Sequence, residues 1–441
     1  MRAVPSETRS ILKDSLHRSV RLECGADGVR TVVKRFANRS LAGATLDRAR
    51  AAREHRLLGE LVARGVRAPA PLALERVDGG WEVRMQWIEG AHPLAEHLSG
   101  ARAWPAPPEF LARELARLLA KLHEAQLDHP DLHPGNVLLD ASGRAWAIDF
   151  HKARRARRLK PTCAWRDLVS LAAGARESTT PQFRARFLVE WLRRAPHALA
   201  LGVLERAANS RSALAVTLEQ HARARRCAAV DKRRARWLRD SSDCTPLEGE
   251  RHGFVRRDAL AQVNVSAPER LPSARVLVLR ELSEREALGV WSNAARLSEH
   301  GLACLRPLAL SLRPQRWVAL EAPFDGAPVA PHSALEGARA LHSLGKLCAE
   351  LADRRLRLAS GRWPVLWRSS RGELALAATS VLEADPRGGD GLDLVRVLAL
   401  AGRNLEQLSA RERAAYAAGI LAASRTSVQG RARLRAQLRH G

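Results

Sequence analysis

Cysteine is scarce and scattered. Cys24, Cys163, Cys227, Cys244, Cys304 and Cys348 include no CxxC pair. That spacing argues against a cysteine zinc site or a disulfide framework and fits a reducing cytoplasm. No stretch reaches the ~18 uncharged apolar residues of a membrane-spanning helix. The opening residues, MRAVPSETRSILKDS, lack the apolar core of a signal peptide. Both absences lead to the expectation of a cytoplasmic protein. Aromatic residues make up only 4% of the chain, with no zinc-finger or base-stacking motif beside them. That counts against a nucleic-acid binder, which the net charge of +26 would otherwise suggest. Lysine is also rare. Of 73 basic residues 66 are arginine and seven are lysine, spread along the whole chain. The excess charge therefore reads as composition as much as a demand for an anionic partner. A lysine inside a strand, in contrast, stands out.

What is present is the material of a folded protein. Hydrophobic residues are 46% and charged residues 27% of 441, enough for two or three domains with sizeable cores. GADG (Gly25–Gly28) followed by β-branched VRTVVKRF predicts a hairpin turn entering a strand over Val29–Phe36. LDRARAAREHRLLGELVARG reads as a helix stopped by Gly65, and the prolines of VRAPAPLALERV keep the next segment extended. WEVRMQWI (Trp81–Ile88) is a further strand. From about Pro108 a long helix places Leu111, Leu115, Leu118, Leu119 and Leu122 on one face. A polar loop, HPDLHPGN, then leads through VLLD and a Ser142–Gly143 turn into AWAIDF, a short hairpin. Thr162 to Leu238 reads helical. The order is a strand-rich lobe, then a helical lobe carrying a loop and a hairpin.

The pattern returns. REHRLLGELVARGVRAPAPLAL matches GVWSNAARLSEHGLACLRPLAL, with Gly65 on Gly301 and Pro71 on Pro307. NVLLDASGRAWAID matches PVLWRSSRGELALAA with one inserted residue, and TVVKRF matches VLVLREL. The expectation is two copies of one α+β fold: residues 1–240, a linker at 241–254, and residues 255–441.

Chemistry concentrates in the first copy. Asp131 and Asn136 lie five apart on the polar loop, and Asp149 ends a buried strand (Ala147, Ile148, Phe150). Two carboxylates and an amide converging there suit Mg²⁺, which takes few protein oxygens plus phosphate oxygens. A loop carboxylate can also accept a proton from an attacking hydroxyl. Singly, either Asx residue would only cap a turn; the spacing of the whole set argues otherwise. Lys34 shares a strand face with Val32 and Phe36 and so requires an anion. Glu54 stands three, four and seven residues before Leu57, Leu58 and Leu61, on the core face of its helix, and is the candidate partner. The alternative is that both heads snorkel to the surface. His129 and His133 have no third His or Cys nearby and read as loop packing.

Val-Val-Lys34, helical Glu54, His129-x-Asp131-x-x-x-x-Asn136 and Asp149-Phe150 together resemble the motif set of a protein-kinase-like fold. The nearest version is the lipopolysaccharide kinases acting on Kdo or heptose in the inner core. REHRLLGEL running into GVRAPAPLAL, WIEGAHPL and DFHKARR are similar to that group as well. The resemblance covers residues 8–240. It implies a bilobal domain, a small antiparallel-sheet lobe plus a helical lobe, and with the repeat two such domains, the second degenerate. It implies an ATP- and Mg-dependent phosphotransferase acting on a sugar hydroxyl. By carry-over, Asp131 is the base, Lys34 holds the α/β-phosphates and Glu54 holds Lys34. Asn136 and Asp149 bind the metal, the backbone near Trp87, Ile88 and Glu89 takes the adenine, and Asp167 braces the loop. The sequence departs from the pattern in three places. LKDSLHRSV has no glycine to cover the phosphates, leaving Ser15 and Ser19 as candidate donors. His151 follows Asp-Phe, and Pro130 replaces the arginine that reads a phosphorylated loop, which argues against control by loop phosphorylation.

HKARRARRLK (His151–Lys160) carries six basic residues in ten. It is either a rim for an anionic glycolipid or the anionic membrane bearing it, or a solvated face. An aminoglycoside- or choline-type phosphotransferase shares the loop motif, but this basic segment disfavours a cationic substrate. A non-catalytic nucleotide- or anion-binding pseudokinase scaffold is the remaining alternative. In the second copy Glu54 aligns with Val290, Asp131 with Ala359, Asn136 with Pro364, Asp149 with Ala378 and Lys34 near Arg280. The second half is therefore expected to lack the chemistry.

Overall fold

The structure is a computed structural model. It describes residues 9–15, 18–25, 28–37, 41–78, 80–176, 178–207, 210–241, 244–247, 253–258, 275–280, 282–300, 302–312, 316–329, 338–354, 356–358, 365–371, 373–378, 382–384 and 409–423. The chain divides into two compact units, Met1–Arg226 and Cys227–Gly441. Both combine helices with antiparallel sheets.

The first unit opens with β1 (Arg9–Ser15), β2 (Arg18–Cys24), β3 (Arg30–Phe36), α1 (Leu41–Ala63), β4 (Pro71–Val77) and β5 (Gly80–Gln86). They form one antiparallel sheet in the order β1-β2-β3-β5-β4. Between β2 and β3, Gly25 N–H donates to Val29 O at 2.9 Å, and Gly28 supplies φ +78°. Helix α1 buries Ala51, Glu54, Leu57, Leu58 and Leu61, a stripe at three- and four-residue spacing. It stops at Gly65, whose φ of +71° is one that side chains resist.

The helical part follows: β6 (His92–Pro93), α2 (Leu94–Leu98), α3 (Pro108–Glu124), β7 (Leu127–Asp128), β8 (Val137–Leu139), β9 (Ala145–Ala147), β10 (Arg154–Arg155), α4 (Pro161–Ala175), α5 (Pro181–Arg194), α6 (His197–Leu204) and α7 (Arg211–Arg234), of which residues 211–226 belong to this unit. Pro108 starts α3 where a missing N–H costs nothing. Leu111, Leu115, Leu118, Leu119 and Leu122 are all buried, at about 1.5–3 kcal/mol each. Two small sheets, β6-β8-β9 and β7-β10, hold the loop between β7 and β8. One core runs through the unit from Phe36 to Leu218.

The second unit has β11 (Cys244–Pro246), β12 (Phe254–Arg256), β13 (Val276–Arg280), α8 (Glu284–Glu299), β14 (Arg306–Ser311), β15 (Trp317–Glu321) and β16 (Ala327–Val329). Next come α9 (Ala338–Asp353), β17 (Leu356–Leu358), β18 (Val365–Arg368), β19 (Leu374–Ala378), β20 (Leu382–Ala384) and α10 (Ala410–Ala423). Residues 244–246 and Phe254, read from sequence as linker, belong to β11 and β12 of this unit's sheet.

Details of the first unit recur. Val66 N–H donates to Leu61 O, and Leu302 N–H to Leu297 O. Ala147 N–H reaches Arg67 O at 2.9 Å, and Leu376 N–H reaches Ala303 O at 3.0 Å. A register shift between Pro71 and Ala73 reappears between Pro307 and Ala309. The small sheets β16-β18-β19 and β17-β20 repeat β6-β8-β9 and β7-β10. One feature differs. The five-stranded order is β11-β12-β14-β15-β13, so the leading hairpin pairs with β14, whereas β2 pairs with β3.

Strand register also corrects two alignments. Lys34 faces Val83, and the residue facing the matching Val318 is Leu279, one before Arg280. The hairpin pair Val137–Ala147 matches Leu366–Leu376 with no insertion, so Asn136 falls on Val365 instead of Pro364. The sequence comparison missed both because a one-residue slip leaves apolar strands looking alike. Ala359 and Pro364 lie outside the described residues.

Candidate active site

Lys34 sits mid-strand in β3 and is 4% exposed. Its Nζ donates to Glu54 Oε1 at 2.8 Å and to Asp149 Oδ1 at 2.6 Å. Period-two alternation turns it to the face opposite Val33 and Arg35, and α1 brings Glu54 from its buried stripe. The same Glu54 oxygen accepts the Phe150 backbone N–H at 3.1 Å. One carboxylate thus ties the sheet to the segment after β9. Its other oxygen, Oε2, is buried without a hydrogen-bond partner.

Asp149 follows β9 at φ +63°, a left-handed conformation rare outside glycine and held here by its surroundings. Burial by itself would push its carboxyl up. The His151 hydrogen bond at 2.5 Å and the Lys34 ammonium outweigh burial and hold it well below the usual carboxylate range. Asn136 is buried in the short turn before β8. Its Nδ2 donates to Asp131 O at 2.9 Å, and its own carbonyl accepts Ile148 N–H at 3.0 Å. These bonds fix Asn136 beside the exit of β9 and shape the Asp131 loop.

The Asp131 side chain is 32% exposed and meets Lys152 Nζ at 2.9 Å from Oδ2. Partial burial would raise its carboxyl, but Lys152, and more weakly His133, hold it below its ordinary value, with Asp149 opposing them. His129 is packed on the Phe150 ring and its pKa is lowered, by burial above all, which favours the neutral ring. Asp167 is buried on α4, where it meets His123 at 3.3 Å and Arg166 at 3.2 Å. Arg166 also pairs with Asp128. The link from Asp167 to the loop therefore runs through Arg166 and Asp128.

Trp87, Ile88 and Glu89 follow β5. Ile88 is buried, and Trp87 Nε1 donates to Glu89 Oε2 at 3.1 Å. Ser19 pairs with Arg35, so it lies on the face away from Lys34, where Val20 stands instead. As a phosphate donor it is on the wrong side of the strand. Ser15 ends β1, and residues 16–17 lie outside the described residues. Arg154 and Arg155 form β10 and are exposed, 3.8 Å from Asp128 and 3.6 Å from Glu60. Sequence reasoning passed over Lys152 by counting it only within a basic run. The available signal was its lysine identity in a chain that uses arginine almost everywhere.

The donors suit magnesium. Asn136 and Asp149 offer hard oxygens, and among the described residues no group of three or more His, Cys, Asp or Glu is placed to hold a metal. None of the six cysteines forms a disulfide. No helix among the described residues is long and apolar enough to cross a membrane.

Residues 29–189 match the lipopolysaccharide kinase (Kdo/WaaP) family. The chain is similar to 3-deoxy-D-manno-octulosonic acid kinase of Xylella fastidiosa (strain M23), 36% identical over 124 residues, or 27% of this chain and 47% of that protein. Its likeness to the enzyme of the same name from Xanthomonas oryzae pv. oryzae (strain PXO99A) is 38% over 112 residues, covering 24% and 42%. For the Vibrio parahaemolyticus enzyme of that name it is 31% over 109 residues, covering 25% and 46%. The chain spans a little under half the length of these curated relatives.

Proposed function

We propose that the first unit is an ATP- and magnesium-dependent kinase that phosphorylates a sugar hydroxyl of the lipopolysaccharide inner core, Kdo or heptose. The observation that carries this reading is Lys34 joined to both Glu54 and Asp149, with Asp131 on the adjoining loop. Lys34 holds the α/β-phosphates, kept in place by Glu54. Asn136 and Asp149 would hold the magnesium ion, which when bound neutralises phosphate charge. Asp131 accepts the proton of the acceptor hydroxyl, and neutral His129 packs the loop beneath it. The backbone at Trp87–Glu89 takes the adenine. The relatives' name favours Kdo as acceptor. The exposed arginines of β10 suit an anionic glycolipid, and contact with an anionic inner membrane surface from the cytoplasm is part of the same reading.

The second unit, by this reading, is a degenerate copy. Leu279, Val290, Val365 and Ala378 stand where Lys34, Glu54, Asn136 and Asp149 stand in the first. The test is transfer from labelled ATP to lipid A–Kdo, heptosylated core and free sugars. Label on a Kdo- or heptose-bearing acceptor supports the assignment, and transfer to none of the panel rejects it.

A further inference from the structure

Lys152 is a cation in the site to which the proposed function gives no task. It is one of seven lysines among 73 basic residues. Its ammonium stands 2.9 Å from Asp131 Oδ2, and its side chain is 56% exposed. A half-exposed pair of this kind contributes little to stability, so the contact is a weak reason to keep a lysine there. It also works against a base, because a fixed ammonium lowers the basicity of the carboxylate it touches. The arrangement makes sense if the ammonium moves to another anion when the reaction occurs.

The charge balance says which anion. Glu54, Asp131 and Asp149 supply three negative charges, and Lys34 with Lys152 two positive ones. Lys34 is buried and already shared by Glu54 and Asp149. A terminal phosphate arriving beside Asp131 would face a carboxylate, and besides the magnesium ion that Asn136 and Asp149 would hold, the lysine standing there to meet it is Lys152. His133, the remaining basic neighbour of Asp131, acts on it more weakly than Lys152 does.

We propose that Lys152 is a catalytic residue that leaves Asp131 to neutralise the phosphoryl group in transfer. This rests on the kinase reading. In the step, the acceptor oxygen bonds to the γ-phosphorus while the bond from that phosphorus to the β,γ-bridging oxygen breaks, releasing ADP. The hydroxyl proton passes to Asp131. Lys152 keeps its protons and acts as a compact point charge, for which arginine's planar fork is a poor substitute.

The test compares full-length wild type, Lys152→Met and Lys152→Arg. Calorimetry with magnesium measures a non-hydrolysable ATP analogue and ADP, and turnover is measured alongside. Lys152→Met should weaken the ATP analogue about 10- to 100-fold, the loss of a charge-assisted hydrogen bond, and leave ADP within about twofold. Its kcat should fall about 10²-fold or more, with Lys152→Arg in between. Equal affinities for the analogue in Lys152→Met and wild type overturn the proposal, as does an equal loss for ADP. Each variant's melting curve should overlay wild type, since the side chain is on the surface. If wild type itself binds no magnesium nucleotide, the kinase reading falls and this inference with it. Normal wild-type binding with an unaffected variant removes Lys152 alone.

Discussion

Glu54 ties two parts of the site together, because one oxygen serves both the Lys34 ammonium and the Phe150 backbone. If Lys34 holds the nucleotide phosphates, Lys34→Met should strongly weaken nucleotide-dependent activity. Glu54→Gln should do so more mildly, because the amide oxygen still accepts one bond. Wild-type rates in both variants would show that Lys34 has no role with nucleotide. Asp131→Ala belongs at this scale too. If Asp131 is the base, the substitution should lower kcat by about 10² or more, the usual cost of losing a general base. Nucleotide affinity by calorimetry should survive, since the bonds that fix Asn136 use the backbone of residue 131.

At the scale of the element, the β8–β9 hairpin sets the distance between Asn136 and Asp149. Its turn is held by Asp140, which accepts from Ser142 N at 2.9 Å, Ser142 Oγ at 2.7 Å, Arg144 N at 2.9 Å and Trp146 Nε1 at 3.0 Å. Burial would raise this carboxyl, but the Ser142 and Trp146 hydrogen bonds, with those from the backbone, lower it overall. A folded pKa below the unfolded one gives stability that is complete above the ordinary Asp range. It is lost as pH falls through that range toward the folded pKa. Asp140→Ala should therefore cost about 1–3 kcal/mol at neutral pH, and the gap to wild type should narrow in acid. Chemical denaturation at neutral and acid pH measures it; a gap independent of pH would contradict the assignment. In the next element, changing Arg154, Arg155, Arg157 and Arg158 together to Ser should raise KM for an anionic acceptor and flatten its salt dependence. Basal ATP hydrolysis should stay nearly constant, and an unchanged KM at low salt would mark the segment as a solvated face.

For the whole molecule the prediction is stoichiometric. If the second unit is a degenerate copy, calorimetry of the full chain with magnesium and an ATP analogue should give one site. Asp149→Ala should abolish it, and a second metal-dependent site surviving that change would place nucleotide where Val290 and Leu279 stand. The buried thiols of Cys304 and Cys348, raised by burial to about 12 and about 11, should resist alkylation in the folded chain.

Residue spacing on one strand or helix was enough to read Lys34 on an apolar face and Glu54 on a core stripe. It was also enough for the α3 leucines and the Asp131–Asn136 loop, because periods of 2 and 3.6 are local properties of the backbone. Gly65 marked the C-terminal end of α1, and glycines the hairpin turns, for the same reason. Long-range contacts decided the rest. That Lys34 meets Asp149 as well as Glu54, that Lys152 closes on Asp131, and that Ser19 turns away from Lys34 depend on which strands pair and in what register. Shifting a strand by one residue exchanges its faces and leaves its composition unchanged. The repeat could therefore be seen in the sequence, but the counterparts Leu279 and Val365 emerged only from cross-strand pairing.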